Sequence, residues 1–143
     1  MKINTQTRYG LKALVFIIEK LKEQDLVSTK EISENTTLPL RCLEQILHKL
    51  KNSDILKGYR GSKGGYKLLR DAAEITILDV FTAIEEEEQI IKCDYNKKKC
   101  IMRDSCTVRF VWAEMNENLK KKKKKISLQD IVDKGDAFVN ANS

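Results

Sequence analysis

The chain of 143 residues is poor in residues that shape several protein classes. One proline and six glycines are too few for an all-β fold built on many turns. Its longest uncharged apolar run, Ala13 to Ile18, is far too short to cross a bilayer, so no membrane partner is expected. Lys2 is followed by polar Asn4, Thr5, Gln6 and Thr7 rather than an apolar stretch. No secretory leader is therefore expected, and cytoplasmic residence is the expectation. There is a single histidine, His48, and no nucleophile–base pair, paired-carboxylate constellation or nucleotide loop, which argues against an enzyme. The stretch Gly61, Ser62, Lys63, Gly64, Gly65 is not a phosphate-binding P-loop. That loop needs Gly-Lys-Ser/Thr opening a helix, whereas here Lys63 precedes Gly64 and a strand follows.

What remains is 41% hydrophobic and 34% charged, the balance of a soluble globular chain of about one domain. The net charge of +6 permits a polyanionic partner without demonstrating one. Much of it comes from the run Lys120 to Lys125, which reads as a solvated or frayed helix end.

Apolar periodicity predicts a first helix over about 7–23, through Leu11, Leu14, Val15, Ile18 and Leu21. Ser28 and Glu31 have capping-box spacing and open a short helix to about Asn35. A tight turn at Thr36, Thr37 and Leu38 leads to Pro39, suited to the first turn of a third helix. Leu40, Leu43, Ile46, Leu47 and Leu50 mark its buried face, ending near Asn52. Residues 55–60 and 66–69 are strand candidates joined by the glycine-rich turn, a β-hairpin. Thr76 and Asp79 cap a helix with Ile77, Val80, Phe81 and Ile84 inward. Glu85 to Glu88 reads as a solvated acidic run, and 94–104 as a loop. A long helix is expected over about 105–122 with a stripe of Val108, Val111, Trp112, Met115 and Leu119. Ser127 caps a short last helix, and the final ten residues read as frayed.

The fold class is therefore mainly α with a small β-hairpin wing: a winged helix–turn–helix plus a long C-terminal helix. Three parts are expected: a DNA-binding domain over 1–84, a cysteine-bearing loop over 85–107, and a long helix with tail over 108–143. The third helix must show one face to the core and the other to a major groove. The outer face carries Arg41, Glu44, Gln45, His48 and Lys49, whose side chains suit guanine, cytosine and adenine edges. Ser28 and Thr29, opening the preceding helix, join the expected double-stranded DNA contacts. So do Arg60, Gly61, Ser62 and Lys63 on the wing, with Arg60 suited to a minor groove and Lys63 to phosphate. A winged helix that binds only protein is the main competing reading.

Cys93, Cys100 and Cys106 fall within fourteen residues, whereas Cys42 stands alone and reads as a small buried hydrophobe. Clustered thiolates are preferred ligands of iron–sulfur clusters, zinc and copper(I). Lys92, Lys97, Lys98, Lys99 and Arg103 surround them and favour the charged thiolate form. No fourth ligand is evident.

Three motifs carry a resemblance. They are Arg8-Tyr9-Gly10-Leu11-Lys12-Ala13-Leu14, Leu43-Glu44-Gln45-Ile46-Leu47, and the wing from Arg60 to Tyr66. In this order they resemble the Rrf-type winged-helix regulators, the family that includes the iron–sulfur regulator IscR and the nitric-oxide sensor NsrR. Residues 75–80 and 126–128 also resemble family segments, and the likeness reaches to about Val132. The resemblance implies a homodimer on a palindromic operator, with the long C-terminal helix over 108–143 as its dimerisation helix, and an iron–sulfur cluster held by Cys93, Cys100 and Cys106 in a sensor loop over 85–107. An IscR-like protein uses a His three residues after the third cysteine, where this chain has Arg109. An NsrR-like protein uses an Asp from the partner's first helix, where this chain has Arg8. Arg8 matches the IscR branch, so [2Fe–2S] is favoured over [4Fe–4S] and the fourth ligand stays open. The alternatives are a nitric-oxide-responsive repressor of the same family, and a zinc- or thiol-based winged-helix interaction module.

Overall fold

The computed structural model describes residues 3–85 and 105–142. Along these residues the chain forms α1 (Thr5–Lys20), α2 (Thr29–Thr36), α3 (Leu40–Asn52), β1 (Leu56–Tyr59), β2 (Gly65–Leu68), α4 (Ile77–Glu85), α5 (Arg109–Lys125) and α6 (Leu128–Ala141). This is a mainly helical winged helix–turn–helix with C-terminal helices. None of its described helices is long and apolar enough to cross a membrane.

Local chemistry sets most boundaries. The Asn4 side chain accepts from Gln6 N and starts α1 earlier than the apolar stripe suggests. Ser28 Oγ accepts from Glu31 N at 3.1 Å and starts α2. Thr37 ends α2 in the left-handed region (φ 58°), and Ser33 Oγ donates to Leu38 O at 2.8 Å across the same turn. Pro39 lies just outside α3 as its N-cap. Leu43, Ile46, Leu47 and Leu50 of α3 are fully buried, each side chain contributing roughly 1.5–3 kcal/mol. Leu40 departs from the expected stripe: it is 48% exposed, because Leu38 fills that end of the core instead.

The wing strands pair antiparallel with Leu56 opposite Leu68, Lys57 opposite Lys67, Gly58 opposite Tyr66 and Tyr59 opposite Gly65. Val27 adds a bridge to Tyr66 through two backbone bonds of 3.0 and 2.8 Å, fastening the wing to the start of the helix–turn–helix. The tip requires glycine: Gly61 has φ +113°, and a Cβ on Gly64 would overlap Tyr59 O.

Two capping boxes meet where the halves of the chain join. Thr76 exchanges bonds with Asp79, and Ser127 with Asp130. Thr76 and Ser127 also bridge, with Ile77 N donating to Ile126 O and Leu128 N to Ile75 O. Anchored there, Leu128 and Val132 complete the same core as α1, α3 and α4.

Two expectations about the C-terminal part are corrected. The final residues form a 14-residue helix to Ala141, started by the Ser127–Asp130 box. The lysine run is the last part of α5, not a frayed end. Within it Lys123 is only 7% exposed, and its ammonium lies 4.7 Å from the centroid of the Phe81 ring on α4.

Candidate nucleic-acid interface and cysteine segment

Burying Leu43, Ile46, Leu47 and Leu50 turns the opposite face of α3 outward. Arg41, Glu44, Gln45 and His48 are exposed on it. His48 Nε2 lies 3.1 Å from Asn52 Nδ2, which leaves Nδ1 for other partners. Gln45 Oε1 is 3.5 Å from Gln6 Nε2, so α1 reaches the edge of this face. Lys49 departs from it. It is half-buried, and its Nζ donates to Ile84 O at 3.1 Å and Gln6 Oε1 at 3.4 Å. At the rim of the stripe its long stem carries the ammonium toward α4 and not outward.

Arg60, Gly61, Ser62 and Lys63 are exposed at the wing tip. Ser28 and Thr29 are half-buried, with the Ser28 hydroxyl occupied in capping α2. The hairpin adds residues that reading the sequence missed. Lys57 and Lys67 are register partners on its outer face, with ammoniums 5.4 and 5.3 Å from the Tyr59 ring centroid. Hydrogen bonds from Lys67 and then Lys57 hold the Tyr59 hydroxyl below the usual phenol range. Like charges directly opposite in a sheet are unfavourable for the fold, which marks this face as suited to an anion. The signal was present only as alternation at 57, 59 and 67, and it needed the strand register to become legible.

Of the cysteines, Cys42 is half-buried on α3 against the core. Cys106 is half-buried just before α5, and its carbonyl accepts from Arg109 N. Cys93 and Cys100 lie outside the described residues. Among the described residues no three His, Cys, Asp or Glu side chains gather in a metal-binding group. Arg109 opens α5, and Arg8 is exposed with Nη2 donating to Thr5 Oγ1 at 3.2 Å. Neither guanidinium can serve as a metal ligand.

A winged helix–turn–helix with a polar recognition face and a basic wing defines a DNA-binding regulator. Comparison with known proteins narrows this. The profile of the Rrf2 family, described as iron-dependent transcriptional regulators, matches residues 3–134, and the chain belongs to that family. It is 30% identical to protein rrf2 of Nitratidesulfovibrio vulgaris over 132 residues, 92% of this chain and 87% of that one. It is 29% identical to the HTH-type transcriptional regulator IscR of Serratia proteamaculans, over 99% of this chain and 85% of that one. Among solved structures, CymR, the global cysteine regulator of B. subtilis, superposes with a TM-score of 0.76 at 26% identity, covering 93% of this chain and 97% of that one. The protein is thus a transcriptional regulator and not an enzyme.

Proposed function

We propose that this regulator binds a palindromic operator as a homodimer in the cytoplasm, with its affinity set by an iron–sulfur cluster on Cys93, Cys100 and Cys106. Residues 1–84 act as the reading head, 85–107 as the sensing segment and 108–143 as the dimer arm. Arg41, Glu44, Gln45 and His48 read base edges. Arg60 enters the minor groove, while Ser62, Lys63, Lys57 and Lys67 hold phosphate. The observation that carries the reading is the path of the chain. In sequence the cysteine segment follows α4, and α4 packs against the recognition helix.

The donor set fits such a cluster in kind. Three thiols fall within fourteen residues among several cations, and Cys106 precedes a 17-residue helix whose N-terminal end favours negative charge. When bound, the cluster supplies a centre sensitive to oxygen, nitric oxide and iron supply. The chain's own residues do the rest, holding thiolates on one side and orienting α3 on the other. Arg8, as in the IscR branch, slightly favours [2Fe–2S]; with Arg at both usual fourth-ligand positions, the fourth ligand comes from elsewhere. That same pair of arginines favours a second reading, a thiol- or zinc-based sensor, to which the likeness to a cysteine regulator adds weight.

The test is anaerobic visible absorption with iron and sulfide analysis of freshly purified protein, alongside Cys100→Ala. The cluster reading expects a brown protein with matching iron and sulfide. The variant should lose the colour yet keep its helical circular dichroism. A wild-type protein still colourless after anaerobic reconstitution would leave the second reading in place.

A further inference from the structure

Near its last described residue, Glu85, α4 is tied to two other helices. Lys49 of α3 donates to Ile84 O at 3.1 Å. The same ammonium reaches Gln6 Oε1 on α1, and Gln6 Nε2 in turn reaches Gln45 Oε1 on the recognition face. One residue further on, Glu85 Oε1 accepts from Thr7 Oγ1 at 2.7 Å and from Asn4 N at 3.1 Å, with Thr7 fully buried. The packing beneath is close. A Cβ on Gly10 of α1 would overlap Ile84 Cδ1 and lie 3.3 Å from Ile46 Cγ2 of α3. Three helices therefore meet at Ile84 and Glu85.

We propose that Lys49 is a positioning residue and not a DNA contact: it ties the recognition helix to α4 at Ile84, so that a change passed along the chain from the cysteine segment to α4 reorients α3. The inference rests on the reading that α3 recognises an operator, but not on which species the cysteines hold. Close-packed interiors pass displacements on and do not absorb them, and a polar tie at the rim sets which way the helix moves. Coupling of this kind is reciprocal: operator binding must alter the cysteine segment as much as the segment alters operator binding.

Reciprocity gives the test. A duplex selected from a random pool by the wild-type protein is used at saturation. Maleimide labelling at each cysteine is then timed by mass spectrometry with and without that duplex. In the wild type, labelling at Cys93, Cys100 or Cys106 should change on the order of fivefold or more, the low end of ordinary allosteric coupling. Lys49→Met keeps the apolar stem and removes the ammonium; it should still bind the duplex, yet bring that ratio close to one. Lys49→Arg should restore most of it. Should Lys49→Met fail to fold, Gln6→Met removes the other half of the tie and should lower the ratio in part. A phosphate-binding role would show differently, lowering the slope of log affinity against log salt by about 0.9 in Lys49→Met, whereas a positioning role leaves it unchanged. A Lys49→Met protein that keeps the wild-type labelling ratio overturns the proposal, as does a wild type whose labelling ignores bound DNA. Failure to select any duplex overturns instead the operator reading, and the proposal with it.

Discussion

Helices α3 and α5 were both expected to carry an apolar stripe, and they use it in different ways. In α3 the stripe is buried within the chain from Leu43 to Leu50, with Leu40 left outside, and Arg41, Glu44, Gln45 and His48 are exposed opposite it. In α5 the one buried side chain is Lys123, and the expected stripe is only partly covered: Val111, Trp112 and Leu119 are half-buried, whereas Met115 is 42% and Val108, just before the helix, 51% exposed; Phe110, off the stripe, is 68% exposed. On α6, Phe138 and Val139 are exposed as well. A stripe completed inside one chain frees its helix for polar recognition. A stripe left open needs another surface, and a second copy of the chain meets that need in the proposed dimer.

The largest expected effect breaks this comparison directly. Leu47→Ala should lower stability by about 2–5 kcal/mol in urea denaturation, since it opens a cavity in the closed stripe. Phe110→Ala and Met115→Ala change side chains outside the core formed by the described residues. They should instead weaken self-association, by on the order of 2 kcal/mol if they anchor the interface, as read by sedimentation equilibrium. A wild type that is monomeric at micromolar concentration would remove the dimer and the meaning given to the open stripe.

The same contrast marks how far the sequence could be read. The α3 stripe, the caps at Ser28, Thr76 and Ser127 and the glycine tip are local signals, and local signals survive folding. Lys123 was not legible, because six identical cations have no period and only a tertiary neighbour, Phe81, selects one of them. Lys49 lay on the outer face by helical spacing, but its long stem let the ammonium follow Ile84 O inward. Lys57 and Lys67 are ten residues apart in the chain and became a pair only through the hairpin register. After Val132 the stretch with Gly135 showed little apolar pattern, yet a completed capping box carries α6 to Ala141. The cysteine triad was legible as chemistry, since residue type and spacing suffice to name a class of ligand. Its geometry depends on tertiary neighbours that no spacing encodes.

A medium effect separates two parts of the DNA interface. Arg60→Ala should weaken binding of the selected duplex by about 1–3 kcal/mol and relax its sequence preference, because a groove-inserted guanidinium reads base or shape. Lys57→Ala with Lys67→Ala should weaken specific and nonspecific duplexes alike. It should also lower the slope of log affinity against log salt by about 0.9 for each phosphate no longer neutralised. Fluorescence anisotropy across a salt series measures both. A double variant with the wild-type slope would assign the outer face of the wing to something other than DNA, and leave the like-charge pair without a partner.

The smallest effect compares the two capping boxes that join the halves of the fold. Asp130 accepts from the backbone and hydroxyl of Ser127, and these bonds hold its carboxyl below the usual carboxylate range, with help from Lys134. A carboxyl depressed in the folded state adds stability that is complete above its unfolded value, about 3.9. That stability is lost as pH falls from there through the lower folded value. Asp130→Asn does not titrate, so the advantage of the wild type over it should be larger at pH 6 than at pH 3. Asp79, in the partner box, accepts from Thr76 N and also lies 3.9 Å from Arg70 Nη2, an ion pair exposed enough to be screened by salt. Removing the Ser127 hydroxyl (Ser127→Ala) should cost about 1 kcal/mol. Removing the Ser28 hydroxyl should cost about the same, because each caps one helix packed on the common core. Equal losses from urea midpoints at pH 6, with only the Ser127 loss shrinking at pH 3, would show that the C-terminal half folds in the same cooperative unit as the reading head. A Ser127→Ala protein whose main transition is unmoved would instead make α6 a separately melting arm, so that the seam at Thr76 and Ser127 divides the molecule and does not join it.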